Sequence, residues 1–108
     1  MDIYTRLEIP PDSELYVVQI EVADWGDGLV VKCFYRTPEG EQRHFRISFI
    51  HCREVIWRAF PPADQPETDV LRLLDVNLGE GKFRKEAQFL TEHFKVTARY
   101  DNVEIEDV

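Results

Sequence analysis

Between residues 15 and 50 apolar and polar side chains alternate with a period of two, and turn-forming residues interrupt the pattern twice. That period places successive side chains on opposite faces of an extended chain, so the stretch is committed to antiparallel strands with one buried face. Tyr16, Val18, Ile20 and Val22 alternate with Val17, Gln19, Glu21 and Ala23. Asp27-Gly28 offers a two-residue type I′ turn, since both residues tolerate positive φ, and this sets Val22 opposite Cys33 and Ile20 opposite Tyr35. Pro38-Glu39-Gly40 suits a three-residue loop in which Pro presets φ and Gly takes the left-handed position. It sets Cys33 opposite Phe45, Val31 opposite Ile47 and Leu29 opposite Phe49. Both registers put Val18, Ile20, Val22, Val31, Cys33, Tyr35, Phe45, Ile47 and Phe49 on one face. Gln19, Glu21, Lys32, His44, Arg46 and Ser48 fall on the other. A three-stranded meander follows.

The second half carries further strand signals. Residues 70–78 are apolar enough for one well-buried strand. Phe94, Val96, Ala98 and Tyr100 alternate, and Asp101-Asn102 can turn the chain so that Ala98 faces Ile105 and Arg99 faces Glu104. Residues 83–93 and 51–60 fit either a helix or a strand. Strands are preferred in both places, with Ala87, Phe89 and Thr91 beside Val96 and Ala98, and with a bulge near His51. Pro61-Pro62-Ala63-Asp64-Gln65-Pro66-Glu67 reads as a surface connection. The expected fold is all-β or mainly β: an antiparallel sandwich or partly open barrel of about seven or eight strands, with room for one short helix. At 108 residues with 44% apolar side chains, residues 1–108 are expected to form a single domain with its own core.

Phe49-Ile50-His51-Cys52-Arg53-Glu54-Val55-Ile56-Trp57 resembles a strand of short, uncharacterised bacterial β-rich proteins, many of them cyanobacterial. There a Phe, two residues, Cys or Val, a bend and an aliphatic–x–Trp pattern recur. Asp75-Val76-Asn77-Leu78-Gly79-Glu80-Gly81, Arg84-Lys85, Thr91-Glu92-His93-Phe94 and the closing Tyr100 and Val103-Glu104-Ile105-Glu106 are similar to the same group. The resemblance covers roughly residues 45–106, supports strands over residues 85–100 and implies no established activity. A looser likeness, of fold alone, is to small immunity proteins of bacterial toxin systems.

A net charge of −8 disfavours nucleic acid and anionic membranes as partners, and no run is apolar enough to span a bilayer. The charge comes in blocks. Residues 1–27 carry seven acids and one base (−6), and residues 28–58 carry six bases and three acids (+3). Residues 59–81, 82–100 and 101–108 contribute −4, +3 and −4. Pairing across neighbouring strands is the plainer use of such blocks; a basic face for an acidic partner is the sharper one. Two cysteines and a start without a basic and then apolar leader point to a reducing, cytoplasmic setting.

Motifs for catalysis are missing. Gly79-Glu80-Gly81-Lys82-Phe83-Arg84-Lys85 lacks the spacing and the Ser/Thr of a phosphate-cradling loop, so it reads as a turn. His44, His51, Cys52 and His93 lack the short-spaced pairs of a zinc site: adjacent His51 and Cys52 would point to opposite faces of a strand. For the same reason His51 is poorly placed as a base for Cys52, and Cys33 reads as a small core residue. Asp75 lies between Leu74 and Val76, but a solvent-facing position explains it. No catalytic residue, metal ligand or cofactor is assigned. The remaining candidates form a binding surface: Trp25 by a hairpin tip, Trp57 at the core edge, and the cations Arg46, His51, Arg53 and Arg84, suited to carboxylate or phosphate. The expected role is a non-catalytic binding or protein-interaction module, regulatory or immunity-like, and exposed edge strands allow a homodimer by edge pairing or by face packing. A small-ligand-binding β-barrel or sandwich is the alternative, and a small hydrolase the third.

Overall fold

The computed structural model describes residues 3–60, 70–79 and 86–108. A short helix, α1 (Ile3–Arg6), precedes nine strands among the described residues. They are β1 (Glu14–Ala23), β2 (Gly28–Arg36), β3 (Gln42–Ile50), β4 (Glu54–Ala59) and β5 (Leu71–Arg72), then β6 (Asp75–Asn77), β7 (Glu86–Leu90), β8 (Phe94–Arg99) and β9 (Asn102–Asp107). Two open antiparallel sheets result, in the orders β5-β1-β2-β3-β9 and β4-β8-β7-β6. Of the expected sandwich or partly open barrel, all-β or mainly β, the structure is a mainly β sandwich with one short helix, and nine strands are described where about seven or eight were expected. No described helix is long and apolar enough to cross a membrane.

The β2–β3 hairpin matches its predicted register, with Cys33↔Phe45, Val31↔Ile47 and Leu29↔Phe49. Gly40 takes φ +92°, and Thr37 and Glu41 close the loop through a 2.8 Å backbone bond. The β1–β2 register differs from expectation. Ala23 pairs with Gly28, Val22 with Leu29 and Ile20 with Val31, so the turn is the four residues Asp24–Asp27 and not Asp27-Gly28. Asp24, Trp25 and Gly26 all adopt positive φ, which frees Asp27 to accept the Cys52 N–H at 2.8 Å through its carbonyl. That tertiary anchor outweighs the local preference of Asp-Gly for a tight turn. A bulge between Val17 and Gln19 then switches the faces of β1. Leu15 and Val17 are buried, whereas Val18 and Tyr16, expected inside, lie on the outer face. There Tyr16 stacks on Phe34 at 4.9 Å.

Phe45, Ile47 and Phe49 of β3 and Leu29, Val31 and Cys33 of β2 meet Ala87 and Phe89 of β7 and Val96 and Ala98 of β8 in the core. The ring of Phe49 packs edge-on to Phe89 at 5.8 Å and against Tyr100 at 4.8 Å. Tyr100 donates its hydroxyl to the Leu78 carbonyl, so its polar atom is satisfied in the interior. Ile3 and Ile9 extend the core from the N-terminal side.

Among the described residues the chain changes sheets at three places. Where a bulge was expected near His51 there is a corner between sheets: His51-Cys52-Arg53 carries the chain from β3 to β4, with His51 at φ +55°. Residues 70–78 form two short strands and not one. Leu73 donates to Leu15 in the first sheet at 2.8 Å, and Leu74 donates to Leu90 in the second at 2.7 Å. Two successive N–H groups thus bond to opposite layers. At Tyr100-Asp101 the chain crosses back: Asp101 donates to Ile50 at 3.1 Å, and β9 pairs with β3, Ile47 opposite Ile105. The expected β8–β9 hairpin does not form, because β8 already has β4 and β7 on its two edges. Residues 54–59 and 86–90 are strands as expected, and β7 pairs with β8, with Ala87 opposite Ala98 and Phe89 opposite Val96. Residues 61–67 and 83–85 lie outside the described residues.

Gly79 has φ +85°, and a Cβ there would stand 2.6 Å from the Glu86 carbonyl oxygen. Gly40 has φ +92° with open space around it. Urea unfolding should therefore show Gly79→Ala losing roughly 2–4 kcal/mol and Gly40→Ala about 1 kcal/mol. Equal losses would mean that the Glu86 backbone yields.

Candidate functional site

The six sequence candidates separate into distinct regions. Trp25 sits at the β1–β2 tip, fully exposed and with φ +58°. His51 and Arg53 occupy the β3–β4 corner at the same end of the sandwich, because Asp27 of the tip binds both the Cys52 N–H and the His51 ring, the latter at 3.3 Å. Arg53 pairs with Asp101 at 3.2 Å. Arg46 lies in mid-β3 on the outer face of the five-stranded sheet and pairs with Glu106 of β9. Trp57 is on β4 in the other sheet. Arg84 lies outside the described residues.

The charge blocks are used largely for cross-strand pairing. Glu21 of the first acidic block meets Lys32 of the following basic block at 3.3 Å. Arg46 and Arg53 of that basic block meet Glu106 and Asp101 of the last acidic one. These pairs are solvent-exposed and stabilise the fold only weakly, but they occupy Arg46 and Arg53, two of the cations that the sequence offered to an acidic ligand.

A shallow groove of about 270 Å³ crosses the outer face where the bulge turns Val18 outward, bordered by Lys32, His44, Arg46 and Val108. Lys32 and Arg46 each face a carboxylate, so the groove is nearly neutral. The buried Nε of Arg46 has no hydrogen-bond partner among the described residues. Beside the groove, Tyr16 donates to Glu14 at 2.6 Å. That bond holds the Glu14 carboxyl below its ordinary range, with Arg72 and Arg36 assisting, and raises the Tyr16 phenol.

Neither thiol is set up as a nucleophile. Burial pushes Cys33 up to about 12. Burial first, and then the Asp27 carboxylate, raise Cys52, whose neighbour His51 is bonded to Asp27. His51 and His93 lie at opposite ends of β4, since Arg53 bonds Arg99 and Phe60 bonds His93. Six residues of strand separate them by about 20 Å. Among the described residues no three His, Cys, Asp or Glu side chains converge as a metal site. Asp75 is exposed on β6.

The feature that sequence reading missed is the exposed edge that the expected strand β4 presents. Among the described residues β4 is an outer strand of its sheet, bonded only to β8, and all six of its residues are exposed. Val55, Trp57 and Ala59 stand opposite the buried Ala98, Val96 and Phe94, so they share the core-facing side, yet the five-stranded sheet does not cover them. Trp57 stacks on Phe94 at 4.3 Å and remains 53% exposed; Ile56, on the opposite side of the strand, is 52% exposed. The other outer strands differ: β5 and β6 have two and three residues, and β9 carries Glu104, Glu106 and Asp107. An edge of that kind resists pairing, whereas β4 bears one Glu and one Arg among four apolar residues.

The chain matches no protein-family model, and no curated protein is similar to it.

Thiol labelling tests the electrostatic description. In the native protein at about pH 8, a disulfide reagent should modify Cys52 alone, more slowly than free cysteine, with the rate still climbing as pH rises further. Both thiols should react in denaturant. Rapid native labelling of Cys33 would contradict its burial.

Proposed function

We propose that this protein is a non-catalytic interaction module that receives an extended segment of a protein partner along β4. The observation that supports this reading is the exposure of Val55, Ile56 and Trp57 on a strand with one edge unpaired among the described residues. Strand addition draws affinity from main-chain hydrogen bonds at such an edge and selectivity from alternate side chains. A half-exposed Trp fixed by stacking on Phe94 is a pre-ordered anchor, since little rotamer freedom is left to lose on binding. Regulation or immunity-like inhibition are the roles that such a module fits.

The alternative, a small-ligand carrier, needs space between the sheets. Phe45, Ile47, Phe49 and Phe89, which would line that space, are at most 1% exposed and pack against one another and their neighbours. A hydrolase has no support in the placement of His51, His93 and Cys52.

The test is affinity capture from extracts of the source organism on the immobilised chain, beside its Ile56→Lys and Trp25→Ala variants. Ile56 faces away from the core, so both variants should fold. A protein held by the wild type and Trp25→Ala but lost from Ile56→Lys, by tenfold or more, is the expected result. Equal retention by Ile56→Lys would overturn the assignment of β4.

A further inference from the structure

We infer that the segment β4 is built to receive is β4 of a second copy, the two chains pairing antiparallel about a two-fold axis through Ile56. This rests on the reading of β4 as a strand-addition edge and specifies its partner. The argument starts from the hydrogen-bond alternation. Phe60 donates to His93 at 2.9 Å in direct register with the β4–β8 ladder, in which Ala59 pairs with Phe94 and Arg58 with Lys95. In an antiparallel ladder, alternate residues bond inward, so Arg58, Ile56 and Glu54 spend their backbone groups on β8. The N–H and C=O groups of Val55, Trp57 and Ala59 point out of the sheet.

A symmetric antiparallel pairing must join outward-pointing residues to outward-pointing residues. Its axis therefore passes through a residue of β4 and not between two. Only the axis at Ile56 matches the charges. It sets Glu54 of each chain opposite Arg58 of the other, Val55 opposite Trp57, and Ile56 opposite its own copy. Both ion pairs and the Ile56 pair fall at the closely spaced, non-hydrogen-bonded positions, where side chains approach most nearly. An axis at Trp57 would leave Glu54 opposite Phe60 and Arg58 opposite Ile56. An axis at Val55 would place Ile56 opposite Glu54.

Residues 54–58 are self-complementary in charge and hydrogen-bond phase in one register. Joining them makes one eight-stranded sheet from two four-stranded ones. The contact is isologous, so it closes at two copies. β9 offers no equivalent: in a self-pairing its Glu104, Glu106 and Asp107 would bring like charges together.

Sedimentation equilibrium of the full chain over a concentration series tests this. The expected species has about twice the monomer mass of 12.8 kDa. Glu54→Arg and Arg58→Glu should each raise the dimer dissociation constant roughly tenfold by setting like charges face to face, and the double exchange E54R/R58E should restore it. Val55→Pro removes an outward donor that β8 does not use, so it should abolish the dimer while circular dichroism shows the β-fold intact. A monomer at all concentrations, a dimer indifferent to both charge reversals, or growth beyond two copies would overturn the pairing. If the chain is monomeric yet captures another protein in an Ile56-dependent way, self-pairing fails and the interaction module stands.

Discussion

Everything in this molecule depends on two sheets burying one another's inner faces, with β3 against β7 and β8 at the centre. Phe45, Phe49 and Ile47 are among the largest fully buried side chains on one side, as are Phe89 and Val96 on the other, with Ala87 and Ala98 leaving room for the rings. Burial of aromatic and branched side chains is the dominant favourable term in such a fold. The three described sheet-changing segments keep the layers in register. Each makes backbone bonds to strands of a layer, so the sheets cannot slide without breaking them.

Legibility of the fold in the sequence followed from how local the deciding interaction was. The β2–β3 register could be read because a three-residue loop with Gly40 fixes it within the hairpin itself. The β1–β2 register could not, because Asp27 is held by Cys52, a residue 25 positions away. The bulge at Val18 has no local signature either: Val17 and Val18 are identical side chains, and only the packed core selects which turns inward. The leucine-rich run at residues 70–78 reads as one strand because hydrophobicity reports burial, not which layer provides it. Asp101-Asn102 is a sound turn signal that serves a crossing between sheets instead of a hairpin.

The candidate site follows the same rule. Exposure of Trp25 was legible from its place beside a turn, and Trp57 could be marked as an edge residue. That Arg46 and Arg53 are neutralised by Glu106 and Asp101 was not visible, since both partners come from the last eight residues through β3–β9 pairing and the sheet crossing. The edge of β4 that is unpaired among the described residues is a property of topology. It appears only once β8 is known to lie between β4 and β7.

The β3–β9 pairing also orders events during synthesis. Its partners, such as Arg46 and Glu106, lie 60 residues apart in the chain. A nascent chain that has completed β1, β2 and β3 presents a bare β3 edge until residues 102–107 are made. Loop closure over that distance is slow relative to hairpin formation. The acidic side chains of β9 thus have a second use: once docked, they seal with negative charge an edge that the growing chain leaves open to other nascent chains.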